Sequence, residues 1–368
     1  MVIYETHGDV CRVGYLRVVA CLADDRIPKT FDYLASQLYE VARQRDKIKR
    51  YDVTGIIASN VNARNYVILA AETGIIDRHT QKRAAYGSIY AQLESAKRIN
   101  DIIDGRVNAE ADDFITLTQA EKIFFMHILI EHDHPFLGEI ILWALKQRRF
   151  NRTTAMNYIM EDIYPEALAK SLQTASSKKR DIIRKEIDDA ERFKDRRLSY
   201  SSQAEWIRTR QYAKYRHVAP PRLEWLVDLS ILNREGRGKF SVNPEIARMG
   251  YELERVLRLP MKKMREELFT SIYPYLGNWS KADQEEIAKT IVEGYHRFVY
   301  SGVKQVKLEV LEMYACFRLL ERGMITTPNT VHQVFNSLTI KYPDKVFITP
   351  TTGEVEIAED SARGYTII

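Results

Sequence analysis

Apolar residues recur at intervals of three and four along most of the chain, which is the spacing of amphipathic helices. In the segment 30–45, Phe31, Leu34 and Leu38 lie on one face after a threonine cap. The same periodicity predicts further helices over 53–59, 63–72, 80–104, 117–131, 136–147, 153–172, 178–197, 222–229, 262–273, 282–298, 306–322 and 326–338. We therefore predict a mainly α fold, and the low content of 11 prolines and 16 glycines agrees with it.

Two short hairpins interrupt this helical pattern. The segments 231–234 and 240–243 have the length of short strands, and Gly236 and Gly238 between them mark a hairpin tip. A second hairpin signal comes near the end of the chain, where 345–350 and 354–358 flank Thr351-Thr352-Gly353. Both hairpins follow predicted helices, so the chain repeats a helix-then-hairpin plan.

The segment from Arg222 to Leu232 resembles the winged-helix superfamily, in which the last helix commonly runs into a Leu-Gly-Leu strand entry and then a basic wing. Ser230 stands where the glycine is usual. The stretch from Asn65 to Ile76 resembles the same element and keeps the glycine as Gly74. The resemblance implies tandem winged-helix or helix-turn-helix modules with short β-hairpin wings and a helical spacer domain, although membership of this superfamily fixes no single function.

The chain of 368 residues is long enough for several domains. We expect an N-terminal winged-helix-like module (1–107), an all-helical middle domain (108–177), a charged bridging helix (178–200), a winged-helix module (201–262) and a C-terminal helical domain ending in a β-hairpin (263–368).

Positive charge is concentrated in the middle of the chain. The formal net charge is +5, but the segment 146–222 holds 19 Lys or Arg against 10 Asp or Glu. A basic region of this kind suits a polyanionic partner. The bridging segment 178–197 is also basic, yet its acidic residues favour pairing within the helix and a solvated surface over contact with nucleic acid.

A helix in the major groove needs side chains that can pair with base edges, and flanking cations that meet phosphates. For the later module, the predicted DNA-binding residues are Arg216, His217, Arg222, Arg234, Arg237 and Lys239. For the N-terminal module they are Lys49, Arg50, Asn62, Arg64 and Asn65. The alternatives are a basic, solvated wing on a module used for protein contact and, for the N-terminal set, ordinary cap and turn residues.

Catalytic motifs are weak in this sequence. His127, His132 and His134 lie close together without the spacing of a zinc site, and Gly238-Lys239 lacks the rest of a phosphate-binding loop. The nearest approach to a nuclease site is Asp344 with Glu354 and Glu356 across the second hairpin. We predict no metal and no cofactor, and the sequence favours a protein that is not an enzyme.

Three cysteines without a paired spacing, and an N-terminus without a secretion signal, predict a cytoplasmic protein. No apolar run approaches the roughly 20 residues needed to cross a bilayer, so no membrane association is expected. The first hypothesis is a non-enzymatic double-stranded DNA-binding protein, a recognition subunit of a DNA-processing, mobile-element or defence assembly. The alternatives are a winged-helix protein-interaction scaffold with partner subunits and a restriction-type endonuclease with a divergent metal site.

Overall fold

The computed structural model describes residues 10–43, 55–109, 111–303 and 305–358, and the fold is mainly helical, as predicted. The helices are α1 (Tyr15–Leu22), α2 (Phe31–Arg43), α3 (Asn60–Glu72), α4 (Ala85–Ala91), α5 (Ser95–Ile103), α6 (Gln119–Asp133), α7 (Phe136–Gln147), α8 (Arg152–Tyr158), α9 (Tyr164–Thr174), α10 (Ser177–Ala190), α11 (Phe193–Leu198), α12 (Gln203–Trp206), α13 (Arg210–Asp228), α14 (Pro244–Arg248), α15 (Gly250–Leu257), α16 (Met261–Glu267), α17 (Gln284–Ser301), α18 (Leu308–Glu321) and α19 (Pro328–Lys341). The strands are β1 (Arg149–Asn151), β2 (Leu232–Gly236), β3 (Lys239–Val242), β4 (Ser280–Lys281), β5 (Val306–Lys307), β6 (Met324–Ile325), β7 (Val346–Ile348) and β8 (Glu354–Ile357).

The N-terminal region packs four helices, α2 to α5, around α1, whose residues are all buried. Within residues 55–109 no wing hairpin forms, and Ile76 and Arg83 make a single antiparallel bridge. The predicted helix 80–104 is wrong because the Asp77 carboxylate accepts the backbone N–H groups of His79 and Thr80, which holds a turn there. Two shorter helices, α4 and α5, follow it. The helix predicted over 53–59 is absent from 55–59, and its first two residues lie outside the described chain.

The middle unit, residues 136–242, is built from α7, β1, α8, α13, β2 and β3 in that order. Helices α9 to α12 are inserted between α8 and α13. The predicted hairpin is confirmed as β2–β3, and β1 pairs antiparallel with β3, so the sheet order is β1-β3-β2. The sheet therefore joins a strand of the expected middle domain to the hairpin of the expected winged-helix module.

The C-terminal unit, residues 284–357, repeats this connectivity with α17, β5, α18, α19, β7 and β8. Its second predicted hairpin is confirmed as β7–β8, and the sheet order is β5-β8-β7. The three helices pack against one another. Strand β6, between α18 and α19, forms a two-residue parallel pair with β4, which precedes α17. In both units the first strand pairs with the last strand of the hairpin.

Helix α13 runs without interruption from Arg210 to Asp228, so the boundary expected at Pro220 and Pro221 is wrong. Both prolines are buried, and the packing of the surrounding helices offsets the backbone hydrogen bonds that prolines cannot make. Directly after the helix, Ser230 adopts a φ of 58°. This is the left-handed conformation that glycine adopts most readily at a helix end.

The charged segment 178–197 forms two helices, α10 and α11, and α10 packs along α9. Arg197 donates to Glu161, and Lys214 donates to Glu186, so ion pairs tie this segment to its neighbours. Buried apolar side chains form one connected cluster through the described chain. No helix within the described ranges has both the length and the apolar character needed to span a membrane.

Candidate nucleic-acid interface

The sheet of the middle unit brings two basic segments together. In the register of β1 with β3, Asn151 lies opposite Lys239, and the backbone N–H of Arg152 donates to the carbonyl of Gly238 at 2.8 Å. The start of α8 is thereby fixed beside the hairpin tip. We call the resulting cationic set the basic wing surface; it consists of Lys146, Arg148, Arg149, Arg152, Arg237 and Lys239.

Little negative charge offsets this surface. Glu235 lies 3.5 Å from Arg149, but the two side chains are 37% and 79% exposed, so solvent weakens the pair. Among the described residues, no carboxylate lies within ion-pair distance of Arg237 or Lys239, and both side chains are exposed. The basic wing surface therefore has a net positive charge.

The tip of the hairpin is open. Gly236 has a φ of 139° and Gly238 a φ of 70°, values that L side chains rarely adopt. A Cβ added at Gly236 would meet no atom within 4 Å. The backbone at this tip can consequently approach a flat or grooved partner closely.

Arg234 belongs to the same hairpin but has a different role. It donates to the buried carboxylate of Glu224 on α13, and its guanidinium lies 5.6 Å from the centre of the Phe240 ring. Glu224 also lies 3.6 Å from Arg12. Arg234 thus connects the wing to the core, and its charge is largely matched inside the protein.

The prediction that Arg222 contacts DNA is wrong. Its side chain is completely buried, and it donates two hydrogen bonds to Asp133, at 2.7 and 3.0 Å. A third hydrogen bond goes to the Val218 carbonyl, and the guanidinium stacks 4.4 Å from the Phe136 ring. A bidentate pair of this kind fixes α13 against α6 and leaves Arg222 no path to a phosphate.

The C-terminal half of α13 is covered by residues 10–14 of the same chain. The indole of Trp225 donates to the Val10 carbonyl at 2.7 Å, and Asp228 accepts from the backbone N–H of Val13 at 2.9 Å and from Arg12 at 2.5 Å. Burial raises the pKa of Asp228 to about 6, although Arg12 and the Val13 N–H both favour the ionised form. This half of the helix cannot enter a DNA groove.

The N-terminal half of α13 is more accessible. Arg216 is exposed and His217 is half-buried. Their positions stay compatible with contact to a polyanion, in contrast to Arg222 on the same helix.

The N-terminal set of predicted residues separates into different roles. Asn62 accepts from the Ser59 hydroxyl and the Ala58 N–H, so it shapes the start of α3. Asn65 is only 9% exposed and cannot reach a base, which corrects that prediction. Arg64 is exposed and lies 3.3 Å from Asp32. Lys49 and Arg50 lie outside the described residues.

Sequence reasoning missed four of the six residues of the basic wing surface. Lys146, Arg148, Arg149 and Arg152 were counted only as part of a basic region. The available signal was the dense run Lys-Gln-Arg-Arg-Phe-Asn-Arg at the end of a predicted helix. The three-residue strand β1, which carries this run to the wing, is too short to produce a recognisable alternating pattern.

The histidine cluster has structural partners. His127 Nδ1 lies 3.1 Å from the Tyr273 hydroxyl, His132 Nδ1 lies 3.0 Å from the Ile128 carbonyl, and His134 Nε2 lies 2.9 Å from the Leu257 carbonyl. Over the described ranges, no three His, Cys, Asp or Glu side chains are grouped so that they could hold a metal ion.

No family model, curated protein or solved structure matches this chain. Any functional assignment therefore has to come from the residues themselves and from the topology that places them.

Proposed function

We propose that this chain binds double-stranded DNA, and that its middle and C-terminal units are winged-helix modules. The topology supports this proposal, because each unit runs helix, strand, helix, helix, hairpin, with its first strand paired to the last. The β2–β3 and β7–β8 hairpins would be the wings. The tandem pair then consists of these two units, and the N-terminal region stands outside it.

The observation that carries the proposal is the basic wing surface. Two distant cationic segments, 146–152 and 237–239, are joined by the β1–β3 pairing beside one open hairpin. Among the described residues, Glu235 is the carboxylate that contacts one of these cations. Neutralising phosphates releases the counterions condensed on a duplex, which favours binding at low salt. Wings of this kind commonly contact the backbone or the minor groove.

The proposal extends to a place in a larger assembly. The N-terminal region and the inserted helices α9 to α12 lie outside the repeated connectivity of the two units. In the proposed assembly they would supply surface for protein partners. We therefore place the chain as a non-enzymatic recognition subunit of a DNA-processing, mobile-element or defence assembly.

Salt-dependent binding to a short duplex tests the proposal. Changing Arg237→Ala and Lys239→Ala together should weaken binding to every sequence and reduce the slope of log K against log salt by about two, as expected for two lost phosphate contacts. The matched control is Lys262→Ala with Lys263→Ala, which removes two exposed charges from α16, outside the wing. The control should keep the wild-type slope.

Two results would overturn the proposal. One is the absence of any binding by the wild-type protein at low salt. The other is an equal loss in the wing variant and the α16 control, since this would mean that only the net charge matters. Both variants change exposed side chains, so an unchanged thermal unfolding curve should accompany either result.

Protein contact is a second candidate function, and a specific observation favours it. The face of α13 that a winged helix would offer to DNA is instead occupied by residues 10–14, so this fold already uses one such helix for a protein contact. Absence of duplex binding by the wild-type protein at low salt would favour this second function, whereas a wing variant with unchanged binding would move the DNA site elsewhere.

A further inference from the structure

A cleft of about 710 Å³ lies where the N-terminal region meets the C-terminal unit. The turn after α1 and the start of α4 form one wall, and the end of α17, β5 and the start of α18 form the other. Its volume falls within the range of about 300–1,000 Å³ that is typical of small-ligand sites. The cleft shares no residue with the basic wing surface, so it is a separate feature of the molecule.

The inside of the cleft is apolar. Val303 and Val310 are half-buried and Ala85 is exposed, so all three offer apolar surface to a ligand. Behind them, the buried side chains of Phe298 and Val306 close the cleft. A ligand that covered this lining would remove apolar surface from water, which favours binding.

The two walls are joined by one arginine at the edge of the cleft. Arg26 donates from Nε to the Ser301 carbonyl at 3.0 Å, and its guanidinium also donates to the Tyr300 carbonyl. A Cβ added at Gly302, whose φ is 98°, would lie 1.9 Å from Arg26 Nε, so the arginine packs directly on this glycine. The cleft is therefore already formed without a ligand, which lowers the cost of binding.

The rim of the cleft carries excess positive charge. Among the described lining residues, Asp25 is the acidic one, and Arg83 pairs with it at 2.8 Å. No carboxylate in the described ranges lies within ion-pair distance of Lys82 or Lys307, although Glu354 lies opposite Lys307 in the β5–β8 register. Lys307 is exposed and Lys82 is half-buried, so both ammonium groups are available to an anion.

We propose that this cleft binds a small organic anion, a carboxylate or a phosphate ester with an apolar body. Lys82 and Lys307 hold the acidic group, because hydrogen bonds between ionised partners are the strong ones. The apolar body covers Val303, Val310 and Ala85. This inference is independent of the DNA binding proposed above.

A small anion suits the cleft better than a DNA strand does. A nucleic-acid backbone offers phosphates and sugars to a basic surface, and its affinity comes from neutralised phosphates. Such a backbone would leave the apolar lining at Val303 and Val310 uncovered. The combination of a concave apolar lining with a few charged groups at one edge is instead typical of small-molecule sites.

Calorimetric titration of the full chain with octanoate and with octyl phosphate tests the inference. At least one of these probes should bind, and the tighter of the two identifies the acidic group that the site prefers. 1-Octanol should bind at least about tenfold more weakly, because it lacks the charge. Acetate should bind at least about a hundredfold more weakly than octanoate, because it lacks the apolar body.

Two variants test the residues on either side of the ligand. Lys82→Gln with Lys307→Gln should weaken binding of the charged probe at least about tenfold and leave 1-octanol unaffected. Ala85→Phe should fill part of the cleft and weaken both, without any change of charge. The matched control is Lys262→Gln with Lys263→Gln on α16, which should keep the wild-type affinity.

The outcomes decide for or against the cleft. Failure of both charged probes to bind at millimolar concentration would overturn the inference, and so would equal affinity for octanoate and 1-octanol. An equal loss in the cleft lysine variant and the α16 control would also overturn it, because only the net charge would then matter. A cleft lysine variant that loses affinity for duplex DNA and keeps its affinity for the probe would show that these lysines serve nucleic acid instead.

Discussion

The middle and C-terminal units share one connectivity but expose different parts of it. In the middle unit, α13 is covered by residues 10–14 and turns the acidic Glu224 and Asp228 toward that contact. In the C-terminal unit, α19 is open and presents uncharged amides. The shared topology therefore determines where a helix lies, whereas the segments packed around it determine whether it is accessible to a ligand.

The two hairpins differ in the same way. The hairpin of the middle unit carries Arg237 and Lys239 with little to balance them, while the outer face of the C-terminal hairpin carries Phe347, 46% exposed, opposite Glu356. The proposed phosphate contact accordingly falls on the middle unit.

The largest expected effect comes from the buried helix. Arg222→Ala should lower the free energy of unfolding by about 3–5 kcal/mol, because it leaves Asp133 buried without its partner. The corresponding change on the open helix, Gln333→Ala, should stay within about 0.5 kcal/mol, as is usual for exposed sites. Urea unfolding of both variants measures the difference between these two losses in the free energy of unfolding.

A double variant checks the cause of this loss. Replacing both partners, as Arg222→Met with Asp133→Leu, removes the unpaired charge and should recover much of the stability lost in Arg222→Ala. Equal unfolding midpoints for Arg222→Ala and Gln333→Ala would show that the buried Arg222–Asp133 pair does not stabilise the packing of α13.

Arg222 also shows where sequence reasoning reaches its limit. It follows two prolines and opens a predicted helix, which is the local signature of an accessible helix start. Its burial depends on Asp133, 89 residues away, and no local pattern reports such a partner. By contrast, the β2–β3 hairpin depends on near neighbours, and it was predicted and confirmed.

The repeated connectivity was hidden for a related reason. Strand β1 is separated from β3 by the inserted helices α9 to α12, and β5 has only two residues. Strands this short carry no alternating pattern, so the sequence indicated two hairpins but neither third strand. Four of the six residues of the basic wing surface were missed because β1 brings their segment to the hairpin.

The packing of α6 against the C-terminal part of the chain predicts that the folded protein loses stability at acid pH. His127 on α6 packs against Phe269, Tyr273 and Phe317, and burial lowers its pKa to about 4. Of the charged groups nearby, Glu131 favours the protonated ring, whereas Arg265 opposes it. The folded state thus resists protonating this histidine at pH values where the unfolded chain accepts the proton.

Stability should therefore fall as the pH drops from about 6.5 to about 4, by up to about 3 kcal/mol for this one group. His127→Gln should flatten that part of the profile in urea unfolding between pH 7 and pH 4.5. His79→Gln, the same change at an exposed site, is the control and should keep the wild-type profile. Identical profiles for all three proteins would rule out His127 as the source.

The smallest effect concerns two residues, one in each unit, that end a helix with a left-handed turn. Ser230, with φ 58°, follows α13, and Gly323, with φ 74°, follows α18. A non-glycine residue in this conformation costs about 1–2 kcal/mol, offset in part by the greater freedom of glycine in the unfolded chain, about 0.5–1 kcal/mol. Ser230→Gly should therefore stabilise the protein by a few tenths of a kcal/mol, and Gly323→Ala should destabilise it by about 1 kcal/mol.

Neither substitution adds a steric clash or removes a hydrogen bond, so the comparison reports backbone conformation alone. A Cβ at Gly323 would meet no atom within 4 Å, so backbone strain alone accounts for the expected loss. The hydrogen bond from the Asn243 side chain to Ser230 goes to its backbone carbonyl and survives the change to glycine. Shifts in the urea midpoint without a change in slope measure both effects. If Ser230→Gly destabilised the protein, the serine side chain would contribute more at this helix end than the conformational strain removes.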